Sequence, residues 1–449
     1  MGIPLVSGLS KLDAGPRRFL FFIVFNVVSW QCIVGPSLIL FARSLDMQAS
    51  MIGFLISFMP LSMLLVGLTV PLVNHYGPKR VMFVGWLMRN VLACAVFLIP
   101  FVRGWGIHYA QYILIGAVLA FCVVRALGAG GWLPWLHELV PDVQRGTYFS
   151  MEAAITQITS VAVALIQAAL LLGSPNDTRF LLVYAIGIGA GLVSLLWMSL
   201  IPGGEAAQIS TSKPASFGGY REAFRDRPFM AFVITASLGY ASLALLLGSS
   251  LVLYMRDALV FKPSVIMAVT AAGAMGIFLT IAAWGRFADY AGSASAMFWS
   301  MLGHSLCAVG CVFLAPGAGF TSPMLWAVFV VASIFSAAYN VAANRAMLGY
   351  IPRERRVLYT NIWSVLTSLA LAFTPIAAGY VIDHLHDYGF YACFIATGAL
   401  GFACALLSRR YVCETGRSSM VGNVELAAAQ RPPMTKLEAE AEPAPRMAS

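Results

Sequence analysis

Charge is scarce in this sequence. Asp, Glu, Lys and Arg make up 10% of its 449 residues, where a soluble globular domain carries about 25%. A chain so poor in charge cannot cover its surface with solvated side chains, which excludes a soluble globule. No GxxxxGK[ST] loop occurs, which argues against direct ATP coupling. No cluster of His, Asp and Glu is visible, nor a nucleophile beside a partnered base, so we expect no catalytic residues, no metal and no cofactor, and we do not read the chain as an enzyme. The eight cysteines are scattered, and all but Cys413 fall in apolar stretches. Cys307 and Cys311 share a helix face near His304, but no acid or further thiol joins them, so they read as small buried hydrophobes.

Apolar sequence fills the space that charge leaves. Hydrophobic residues are 60% of the chain and its mean hydropathy is +0.82. A hydrocarbon core about 30 Å thick needs roughly 20 apolar residues at 1.5 Å rise each. Twelve runs of that order occur, near 19–42, 50–73, 81–102, 109–135, 146–173, 179–201, 229–254, 263–284, 295–316, 323–347, 357–382 and 388–408. They are too long for barrel strands and lack two-residue alternation, so the reading is an all-α integral membrane protein with twelve transmembrane helices.

Basic residues orient the spans. If the chain begins in the cytoplasm, 20 of the 28 Lys and Arg residues lie on the cytoplasmic side. Arg43, Arg103, Arg179, Arg256 and Lys262 lie outside, and Arg89, Arg125 and Arg345 stay within spans or at their ends. That bias predicts both termini inside. The net charge of +9 is then a topology signal, and nucleic acid is not an expected partner.

The halves repeat. VPLVNHYG (70–77) aligns with GRFADYAG (285–292), setting Gly77 over Gly292 and Asn74 over Asp289. PDVQRGTY (141–148) aligns with PRERRVLY (352–359), setting Arg145 over Arg356. The offsets, 215 and 211, point to two homologous six-helix halves, an arrangement found in a large transporter class. GRFADYAG fits a Gly-x-x-x-Asp-x-x-Gly loop signature, and the chain from 18 to 411 resembles the major facilitator superfamily. The first copy departs from the signature, having lost its first glycine and its aspartate, and the fifth span lacks the Gly-Pro pattern of many proton-coupled drug exporters.

That resemblance implies two pseudo-symmetric halves with a solute cavity between them, opened alternately to each side. The expected organisation is a cytoplasmic N-terminus (1–18), a first half (19–202), a Gly- and Ser-rich cytoplasmic linker (203–228) with an amphipathic stretch around Tyr220 to Phe224, a second half (229–411) and a disordered cytoplasmic tail (412–449). The implied location is the plasma (inner) membrane, and the protein is read as a monomer in the lipid bilayer.

Ionisable side chains inside spans cost at least about 2.5 to 3.5 kcal/mol each, so each invites a functional reading. Glu152 is the one acid well inside a span. With Arg125 about 15 Å and Glu152 about 10 Å from the cytoplasmic ends of sequence-adjacent helices, the two are expected to pair. RALGAGG (125–131) resembles a superfamily pattern for substrate or proton handling, without its usual Gln. Arg89, Asn90 and His304 lie on usually peripheral third helices and read as structural. Asn26, Trp30, Gln31, Gln157, Ser237, Tyr240, Asn340, Asn344 and Asn361 lie on helices that line the cavity in this superfamily, suggesting a polar, weakly charged site with aromatic faces.

The expected function is secondary transport of a small polar or amphipathic solute, coupled to protons through Glu152. Export by the same fold and a transport-inactive receptor or assembly factor are the alternatives. At the interdomain gate, Gly285, Asp289 and Gly292 are expected to meet Arg145, and Asn74 and Gly77 to meet Arg356, with charge only in the first contact.

Overall fold

The computed structural model describes residues 12–412 except 142–143, 174–175, 206–216, 315–318, 320 and 352–355. The tail expected beyond 412 and residues 206–216 of the expected linker lie outside the described residues. Eleven helices among the described residues are long and apolar enough to cross a membrane: Ala14–Ser44, Ala49–Tyr76, Pro78–Trp105, Ile107–Ala129, Thr147–Leu170, Asp177–Ser199, Arg227–Asp257, Pro263–Ala291, Thr321–Tyr350, Leu358–Leu385 and Tyr388–Tyr411. The twelfth, Ser293–Cys311, carries four serines, two glycines and His304, which lowers its hydropathy, yet it packs between the helices on either side of it in space, Thr321–Tyr350 and the last helix. We number all twelve one to twelve in chain order, so Ser293–Cys311 is helix nine. The face where helix one begins and helix twelve ends is called proximal, the other distal.

Both halves use the same pairings. Helix one packs on six, three on four, two on four, and six on three; their counterparts seven on twelve, nine on ten, eight on ten, and twelve on nine do likewise. The repeat reaches the backbone. Gly77 (φ 84°, ψ 150°) ends helix two and Gly292 (φ 88°, ψ 161°) ends helix eight, each as a one-residue joint in a region that only glycine enters without strain.

GRFADYAG is therefore a correction to the sequence reading. It was expected as a loop, but helix eight continues through Ala291 and only Gly292 breaks it. Polar residues end a span by reaching water, and water does not unwind the helix. Helix four stops earlier than expected, at Ala129, with a turn at Gly130 and Gly131 before a short proximal helix, Trp132–Leu139. The amphipathic stretch expected near Tyr220 falls in a helix, Phe217–Arg225.

Packing divides the molecule by depth. Distal residues of both halves, from Ile33 and Phe41 through Leu246, Tyr254, Ala378 and Phe394, form one continuous apolar core. Toward the proximal face the core splits in two, one cluster built from residues 12–201 and the other from residues 223–412. The halves are fused at the distal face and parted at the proximal face.

Candidate functional site between the halves

Hydrogen bonds follow the same division. At the distal face they cross between halves. Arg43, at the end of helix one, pairs with Asp257, at the end of helix seven, at 2.9 Å. The two are 214 residues apart, nearly the repeat offset, so they are pseudo-symmetric equivalents meeting each other near the symmetry axis. Asp383 of helix eleven accepts from the backbone N–H groups of Ala49 (2.9 Å) and Ser50 (2.8 Å) at the start of helix two. A carboxylate there meets the positive end of the helix dipole as well as two free donors. Two turns further along helix two, Ser57 Oγ donates to the Ala372 carbonyl at 2.5 Å. Helices two and eleven cross so closely that a methyl group on Gly53 would strike the Pro375 carbonyl, and one on Gly379 that of Ala49.

At the proximal face the bonds between described residues stay within a half. Arg18 donates to the Leu200 carbonyl, Trp135 to that of Pro202, and Tyr359 to Asp226. Asp289 pairs with Arg345 of helix ten at 3.2 Å, a partner in its own half. The expected partner, Arg145, belongs to the other half. Arg145 and Arg356 begin helices five and eleven, and their side chains lie outside the described residues. Asn74 is exposed on the last turn of helix two. A methyl group on Gly285 would meet nothing within 4 Å, so this glycine makes no close approach here.

Arg125 and Glu152 are not paired, contrary to the sequence reading. No ion pair joins them; Arg125 Nη1 approaches Met63 Sδ at 3.8 Å, while Arg125 Nε and Glu152 Oε2 are buried without partners. The reason is topological. Helices four and five follow each other in the chain, but four packs on two and three while five packs on one and eight. Tyr148, one turn before Glu152, is buried against Phe19 with its hydroxyl also unpartnered. The glycines of RALGAGG serve packing: Gly128 meets Trp86 and Gly85 of helix three, Gly130 meets Thr69, and Gly131 meets Pro78.

Other expected cavity residues divide into ties and free groups. Asn26 is buried and does not line a cavity; its Oδ1 accepts from Arg89 (2.8 Å) and Trp86 (2.9 Å). Gln31 donates to Ser160 of helix five at 2.5 Å. Asn340 and Asn344 donate to carbonyls one turn back in helix ten. Trp30 and Gln157 are half-buried and Asn361 is exposed. Tyr240 is buried, with its ring 5.6 Å from Tyr339 and 6.2 Å from Trp363. Trp363 Nε1 and Ser237 Oγ have no partner.

Several elements escaped the sequence reading. Arg43 and Asp257 were separable by their opposite charges at one repeat register. Asp383 gave no local signal, because its partners are backbone groups of another half. A π-helical turn, Ala244–Ser250, interrupts helix seven where it packs on helices two, eleven and twelve. Such turns are frequent at functional sites.

Two six-helix halves joined at one face and parted at the other define a membrane transporter fold. The Major Facilitator Superfamily model matches residues 19–321 and again 245–435, and the chain belongs to that superfamily. No curated protein matches the sequence. Among solved structures, the chain is similar to the nucleoside transporter NupG (13% identity, TM-score 0.64, covering 91% of this chain and 99% of that one). It is also similar to a D-xylose-proton symporter (14%, 0.69, 89% and 98%) and to a POT family transporter in complex with 5-aminolevulinic acid (12%, 0.71, 90% and 97%). At such identities the likeness is one of fold.

Proposed function

We propose that this protein is a secondary transporter that moves a small organic solute by alternating access, driven by protons carried on Glu152. The observation that carries the reading is the single apolar core at the distal face set against two separate cores at the proximal face. That is the packing of one end state of a rocking pair of halves, with the distal gate shut. The bias of basic residues makes the proximal face cytoplasmic, so this conformation opens inward, and the plasma (inner) membrane is the location we assign. A carboxylate inside a span with a buried, unpartnered oxygen is suited to take a proton, since no hydrogen bond holds that oxygen in its charged form.

The test is solute flux in proteoliposomes holding the full chain, with and without a pH gradient. Accumulation should follow the gradient, and Glu152→Gln should abolish accumulation while solute exchange continues. Normal accumulation by Glu152→Gln would make the glutamate structural, and flux of no solute across a broad panel would remove transport itself.

A further inference from the structure

Among the described residues, Arg89 is the one Asp, Glu, Lys or Arg that is fully buried. It is wholly buried on helix three, with its guanidinium 4.5 Å from the Trp86 ring and 5.1 Å from the Phe121 ring. One nitrogen, Nη2, donates to Asn26; Nε and Nη1 have no partner, and no acid pairs with it. A purely structural arginine would have its donors filled, because each buried unpartnered polar group costs about 1 to 3 kcal/mol.

The second cation lies alongside. Phe121 and Arg125 are one turn apart on helix four, hence on the same face, and Phe121 is the ring that touches Arg89. Arg125 is the neighbouring charge that acts on Arg89. Its own Nε is unpartnered, and its nearest polar contact is a thioether. The interior of the first half therefore holds two arginines against one glutamate, with no ion pair among the three. In a low-dielectric interior such an excess of positive charge is unfavourable, and it creates a field that a bound anion relieves.

The second half holds neutral, aromatic groups in its interior: Tyr240 lies beside Trp363, and Trp363 Nε1 and Ser237 Oγ are unfilled. Aromatic faces and one free N–H suit the body of an organic molecule, where a small inorganic ion would find little to touch.

Resting on the transport reading above, we infer that the solute is an amphipathic organic monoanion whose carboxylate or equivalent group pairs with Arg125, reinforced by the buried charge of Arg89. One negative charge reduces the positive excess of the two arginines, which is one charge when Glu152 is ionised and two when it carries its proton. Arg125 is the contacting residue; Arg89, walled off by Phe121 and Trp86, is a positioning residue that acts through its field.

Matched pairs of solutes test this directly: benzoate against benzamide, and 3-phenylpropionate against its amide, within a panel that includes sugars, amines, chloride and phosphate. Flux is read in proteoliposomes of the full chain. Carboxylates should be moved and their amides not, and chloride and phosphate should compete weakly. Arg125→Gln should raise the half-saturating carboxylate concentration at least about tenfold, with Arg125→Lys recovering part of the loss, because the lysine keeps the charge without the forked geometry. Arg89→Gln should weaken carboxylate uptake without changing which carboxylates are preferred. If Arg89→Gln fails to fold, the carboxylate-amide comparison on the unaltered protein decides the matter. Transport of a neutral or cationic solute in preference to every carboxylate overturns the inference while leaving transport intact. Carboxylate uptake unchanged in Arg125→Gln overturns the site, and flux of nothing at all overturns the transport reading beneath it.

Discussion

Single residues carry strain and polarity in ways that stability measurements can read. Gly77 and Gly292 occupy the same glycine-only backbone region at equivalent joints of the two halves. An alanine there adds about 1 to 3 kcal/mol of strain. Gly292→Ala should lower the melting temperature of the detergent-purified protein, and Gly77→Ala should do so to a similar degree. Gly285→Ala, at a helical position with open space around it, should be neutral or slightly stabilising. Equal melting temperatures for Gly285→Ala and Gly292→Ala would show that the joint tolerates a side chain. The Asp289–Arg345 pair is exposed, with Asp289 at 75%, so its loss should change stability by no more than about 1 kcal/mol.

At the scale of elements, the crossing of helices two and eleven sets the distal gate. Interfaces between membrane helices favour small residues because backbones can then approach, and Gly53 against Pro375 with Gly379 against Ala49 is such an approach. Gly379→Val should wedge the helices apart. On a background with the native cysteines removed, thiol labelling at a distal position such as Leu45→Cys should rise several-fold. Unchanged labelling would mean that the crossing has room to shift. Helix two has a second irregularity, a 3-10 stretch at Met63–Thr69 following Pro60. It lies beside Arg125, and helices bend most readily where the hydrogen-bond ladder is already altered.

For the whole molecule, two aspartates should act in opposite directions. Asp383 joins the halves in the present conformation, through two backbone donors of helix two. Among the described side chains Asp289 pairs with Arg345 of its own half, and we propose that it meets Arg145 when the proximal face closes. Asp383→Asn should therefore weaken the distal seal, by about 1 kcal/mol from the lost charge at the helix terminus, and lower thiol labelling of the proximal cavity wall. Asp289→Asn should raise that labelling, because it weakens the opposite state. Movement of both in the same direction would break the reciprocal picture, and no effect of Asp289→Asn would leave that residue as a topology signal only.

Membrane insertion, helix number and the repeat were legible in the sequence because each rests on local composition. A run of about 20 apolar residues spans a bilayer wherever it occurs, and equal offsets between matching segments reveal duplication before any packing is known. Charge inside spans was equally visible, so Arg89, Arg125 and Glu152 could all be singled out. Which of them meet was a different question. Sequence adjacency paired Arg125 with Glu152 and dismissed Arg89, whereas helix packing parted the first two and set Arg89 beside Arg125 through Phe121. The distal seal was hidden for the same reason: Arg43 finds Asp257 and Asp383 finds Ala49 only once two halves are docked, 214 and 334 residues apart along the chain. Hydropathy acts on one helix at a time, and only tertiary packing decides which helices face each other.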